Sequence, residues 1–85
     1  MEKNDQLFMQ LLYMFHTSAM QGLGKIADPT GKISRNLEYV SETIDLMEML
    51  KDKTKGNISM DIEKALNEML SELRLNYIED KANTG

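Results

Sequence analysis

The run Met49-Leu50-Lys51-Asp52-Lys53-Thr54-Lys55-Gly56-Asn57-Ile58-Ser59 decides how this chain folds. It reads as the close of one helix, a tight basic turn and the opening of the next. Lysines collect where a helix's last carbonyls concentrate negative potential, and Gly56 is free to take the left-handed conformation that ends a helix. Ser59 stands where a hydroxyl accepts from the free N–H groups of the helix that follows. Helices joined by so short a turn form a hairpin.

Upstream of the turn, the spacing predicts a second helix from about Asn36, a good cap, to about Thr54. Val40, Ile44, Met47, Thr43, Leu50, Tyr39 and Leu46 cover one half of it, and Glu38, Glu42, Asp45, Glu48 and Asp52 the other. Downstream, a third helix spans about 60–78. Ile62, Ala65, Leu66, Met69, Leu70, Leu73 and Tyr77 form its apolar stripe, and Asp61 suits the positive end of its dipole. A first helix, about 5–22, stops at Gly22-Leu23-Gly24, and a turn signal follows at Asp28-Pro29-Thr30-Gly31. No strand-like alternation runs for four residues outside these segments. The reading is an all-α, three-helix, hairpin-like bundle: one domain over 1–80 with a frayed tail at 81–85.

The totals bound what such a bundle can do. An 85-residue chain has room for one small core, and no cysteine is present to reinforce it. With 10 basic against 14 acidic side chains, net field does not favour nucleic acid. Phe8, Phe15, Tyr13, Tyr39 and Tyr77 are too few for a base-stacking platform. Lys3 and the apolar run from Leu7 to Phe15 superficially resemble a secretory signal. Glu2 and Asp5 cancel its positive end and Gln10 interrupts the run, so a cytoplasmic address is expected. The run is also too short to span a membrane.

The first helix is the exception to one-sidedness. Ten of the fourteen residues from Leu7 to Met20 are apolar. Leu7, Phe8, Leu11, Leu12, Phe15 and Ala19 fill one side, Met9, Tyr13 and Met20 continue round it, and Gln10, Thr17 and Gln21 form a narrow polar strip. Two neighbouring helices do not cover that much surface, so helix one is expected to complete the bundle by homodimerisation through those six residues. The plainer alternative is a patch shielded by the 25–35 loop.

Chemistry-bearing constellations are sparse. His16 is the sole histidine, and no Glu-x-x-His spacing accompanies it, so a helix-rim role is expected. Glu38, Glu42 and Asp45 share a face that reads as solvated acid, with a divalent ion as the functional alternative. Most of the eight methionines sit at core spacing, where an adaptable side chain fills gaps. Lys51, Lys53, Lys55 and Asn57 lead into a helix N-terminus and could meet an anion or a partner, although no Walker pattern is present. Arg74 has no carboxylate three or four positions away, and Asp45 is its expected partner. No nucleophile–base pair can be assembled, so neither an enzyme nor a bound cofactor or metal is expected.

Ala19, Leu23-Gly24, Asp28-Pro29, Gly31, Leu37, Ile44-Asp45, Met49-Leu50, Lys53-Thr54-Lys55-Gly56-Asn57, Leu73-Arg74 and Tyr77 stand in an order that resembles the domain of unknown function 1844, a bacterial family of small helical proteins. The resemblance covers residues 5 to 78 and is tightest at the Lys-Thr-Lys-Gly-Asn turn. Similar sequences open the last helix with a run of glutamates where this chain has Met60-Asp61-Ile62-Glu63, so the capping-box glutamate is lost. His16 and Met20 are not associated with the family. The resemblance implies a cytoplasmic bacterial protein of short helices and supplies no activity, cofactor or catalytic residue.

The leading expectation is a non-enzymatic, self-associating protein-interaction module, with a dimer favoured and an unidentified protein partner. Two alternatives stand beside it: an RNA- or anion-contacting accessory using the 51–57 turn, and a divalent-ion or small-ligand binder on the acidic face of helix two.

Overall fold

The computed structural model describes residues 2–83 and contains three helices, α1 (Lys3–Gly22), α2 (Leu37–Lys53) and α3 (Met60–Asn83). Each packs on both others. Among the described residues there is no strand. The core takes Leu12, Ala19 and Leu23 from the first segment, Val40, Ile44 and Met47 from α2, and Ile62, Leu66, Leu70 and Leu73 from α3. These are the stripe positions that helical spacing selects, which is why the all-α bundle forms.

Local chemistry sets the turns. α1 ends in a Schellman motif: the Gly24 N–H donates to the Gln21 carbonyl and the Lys25 N–H to that of Met20, both at 3.0 Å, with Gly24 at φ 75°. The Asn36 side chain caps α2 by accepting from the Tyr39 N–H at 3.0 Å. At the other end the Thr54 hydroxyl donates to the Leu50 carbonyl at 2.7 Å. Gly56 then takes φ 84°, and Ser59 Oγ accepts from the Ile62 N–H at 3.3 Å. In the connector, the Asp28 carboxylate accepts from the Thr30 hydroxyl and from the backbone N–H groups of Lys32 and Thr30. These bonds, the Thr30 hydroxyl foremost, hold its pKa below the ordinary aspartate value.

Gly22 sets how closely α1 and α2 approach. A Cβ there would lie 2.8 Å from Val40 Cγ2 and 3.3 Å from the Tyr39 ring. In an open helix, Gly→Ala gains up to about 1 kcal/mol; against the stiff Val40 side chain, overpacking outweighs it. Gly22→Ala is expected to lower stability by about 1 kcal/mol, read as a lower urea midpoint with an unchanged slope.

Two boundaries differ from the sequence reading. α1 begins at Lys3, one half-turn early. α3 continues past Ile78 through Lys81–Asn83, residues expected to fray; Thr84 and Gly85 lie outside the described residues. No Gly or Pro stands between Ile78 and Asn83, Tyr77 packs on the core, and the Lys81 ammonium sits 5.6 Å from the Tyr77 ring centroid, a one-turn cation–π pair. Asp80, on the core-facing side seven residues beyond Leu73, is buried and lies 3.6 Å from Arg35 of the connector.

The protein is flattened, 41 × 27 × 16 Å. Its accessible surface is 5834 Å², against about 5,100 Å² for a typical folded monomer of its 9.7 kDa mass.

Candidate interaction surface

The expected interface residues of α1 divide between two faces. Leu12 and Ala19 are fully buried in the chain's own core, and Phe8 and Phe15 pack against it half-buried. Those four stabilise the single chain, because the α2–α3 pair covers more of α1 than its composition suggests. Leu7 remains 49% exposed and Leu11 half-buried. Met14 and Tyr13, outside the expected set, are 67% and 56% exposed. Shielding by the 25–35 loop does not occur there: that loop joins the far end of α1, and its own Ile26 and Ile33 are exposed.

Leu7, Leu11, Met14 and Ser18 follow 4-3-4 spacing, one line along α1. Side-chain contacts fix where that line points. His16 projects toward α3, its Nε2 2.8 Å from Glu72 Oε1. Gly22 projects toward α2, against Val40 and Tyr39. On the helical wheel the Leu7 line lies beyond Gly22, away from α3. On α2, Arg74 of α3 pairs with Glu48, so the α3 side is the Glu48 side. Tyr39, Leu46 and Leu50 lie on the opposite flank, beside α1; Tyr39 and Leu46 are exposed and Leu50 half-buried. The two lines border one outer face of the α1–α2 hairpin, the face opposite α3. With Gly22 beside Val40 and equal rise along antiparallel helices, Met14 lies level with Leu46 to Glu48.

Residues 5–79 match the model of a protein family described as a domain of unknown function (DUF1844). This chain belongs to that family. No curated protein and no solved structure matched. The DUF1844 match spans all three helices but stops before Asp80, the buried carboxylate at the end of the bundle.

The other expected sites of this DUF1844 chain separate in space. Arg74 engages Glu48, not Asp45, which stays exposed on the outer face of α2; Glu48 is on the α3 side of that helix and Asp45 is turned away. Lys51 and Lys55 line a groove of about 300 Å³ at the α2–α3 turn, together with Asp52, Glu63, Ile58 and Asn67. Lys53 is not among its walls, and the Asn57 N–H is used inside the turn, donating to the Thr54 carbonyl at 2.8 Å. Glu38, Glu42 and Asp45 are exposed along α2, and among the described residues no three carboxylate or imidazole groups converge as metal ligands would. No helix of the described residues is long and apolar enough to cross a membrane. Sequence reasoning missed Met14, Tyr39 and Leu46 as surface residues. For Met14 the signal available was the 4-3-4 line through Leu7, which an even greasy circumference concealed; Tyr39 and Leu46 sit at the edge of α2's apolar half, where spacing alone does not separate core from surface.

Proposed function

We propose that the chain is a non-enzymatic, cytoplasmic protein-interaction module that self-associates through α1. One observation carries this reading. From Gln6 to Gly24 there is no Asp, Glu, Lys or Arg, yet Leu7 and Met14, on one line of α1, stand about half or more in solvent. Depletion of charge with enrichment of Met and Tyr marks the centre of an interface, whereas a solvated helix face carries charge. The outer side of α2 follows that rule for the most part, carrying Glu38, Glu42, Asp45 and Asp52.

The anion-contact reading has less support, because Asp52 and Glu63 share the groove of Lys51 and Lys55 and oppose a phosphate there. Nor do the spread carboxylates of α2 favour a divalent ion. Light scattering over a dilution series tests the proposal. The expected mass at about 100 µM is twice 9.7 kDa, falling toward one subunit on dilution. A concentration-independent monomer sinks it.

A further inference from the structure

We infer that the outer face of the α1–α2 hairpin receives a second copy of this chain, related by a two-fold axis that runs across the helices near Met14 and Leu46. This rests on the self-association just proposed and specifies its geometry, including a contribution from α2.

Three features select the occupant. First is apolar exposure: Leu7, Met14, Tyr39 and Leu46 stand between 43% and 67% in solvent along this face, the apolar surface that an interface centre takes. Second is shape. The face is two helices wide, and two such hairpins laid face to face form a four-helix bundle with α3 of each copy outside. Such a closed, isologous contact leaves no free apolar edge to propagate.

Third is charge at the rim. Glu42 and Lys53 lie eleven residues apart on α2, three turns, and so on one line beside Tyr39 and Leu46. Both are exposed. An axis across α2 midway between them carries Glu42 of one copy onto Lys53 of the other, twice per dimer. The same axis reverses α1 on its copy, with Met14 near the centre and Leu11 opposite Ser18. An axis parallel to the helices would instead set α1 over α2 and leave both rim charges unmatched.

The full-length protein tests this by sedimentation equilibrium and cross-linking. Met14→Glu or Leu46→Glu is expected to weaken dimerisation about a hundredfold or more, since each places a carboxylate in a dry contact. Helical circular dichroism should stay unchanged, because neither residue is in the core. Leu75→Glu, on the exposed outer side of α3, should leave the dimer intact. Lys53→Glu should weaken it about fivefold, and Glu42→Lys in the same chain should restore it. The chain has no cysteine, so Met14→Cys alone should form a disulfide-linked dimer in high yield on oxidation. A dimer that survives Met14→Glu and Leu46→Glu but fails with Leu75→Glu overturns this geometry and leaves self-association standing. A mass that climbs past two subunits with concentration also overturns it, because the contact would not be closed. A wild-type monomer at about 100 µM removes both proposals.

Discussion

Leu12→Ala is expected to lower the free energy of unfolding by about 3 kcal/mol, while Leu7→Ala in dilute solution changes it by no more than about 0.5 kcal/mol. The two leucines sit five residues apart on one apolar helix, and composition does not distinguish them. Burial does. Leu12 is wholly enclosed with Val40, Met47, Leu66 and Leu70 in the shared core, so truncation removes transfer energy and leaves a void. Leu7 is half in water and loses little when truncated. A single core of this size holds only a few kcal/mol in reserve. Leu12→Ala should therefore be partly unfolded at 37 °C. Urea midpoints measured at low protein concentration isolate the single-chain term. On the self-association proposed above, Leu7→Ala should begin to destabilise at higher concentration, because folding is then linked to association. Equal costs for the two variants in the dilute regime would refute the division of α1 into a core side and an outer side.

The contrast shows what the residue string carries. The caps and turns were legible because they rest on local chemistry: Asn36 and Ser59 accept from the N–H groups their positions predict, and Gly56 takes the left-handed φ expected of it. The core stripes of α2 and α3 were legible for a similar reason, since Val40, Ile44 and Met47 on α2 and Ile62, Leu66, Leu70 and Leu73 on α3 recur at helical spacing and are buried. α1 was not. Periodicity cannot orient a helix with ten apolar residues in fourteen, and its true orientation is set by tertiary contacts such as Gly22 on Val40 and His16 on Glu72. Arg74 illustrates the same limit. A lone cation announces a partner, but choosing Glu48 over Asp45 requires the angle at which α2 meets α3. Asp80 gave no local warning, because an aspartate ordinarily faces water.

That buried carboxylate makes Arg35→Ala the second large effect, an expected loss of about 2 kcal/mol. Asp80 is only 6% exposed, and its Oδ2 has no hydrogen-bond partner among the described residues. Its countercharge is Arg35 Nη2, 3.6 Å from Oδ1, on a side chain nearly half in solvent. Removing one member of a fully buried pair costs about 3–5 kcal/mol; the long separation and the wet guanidinium place this case below that range. At about 4–8 °C per kcal/mol for a domain this small, the melting temperature should drop by roughly 10 °C. Asp80→Leu should behave oppositely. It extends the Ile62, Leu66 and Leu73 side of α3 by one apolar position, and replacing a poorly satisfied buried charge with a packed side chain is neutral or stabilising. In the Asp80→Leu background, Arg35→Ala should then cost little, giving a coupling near the full single-mutant loss. Independent effects, with Arg35→Ala equally costly whether residue 80 is Asp or Leu, would mean that Arg35 holds the connector by packing alone. The ion pair between connector and α3 would then contribute nothing.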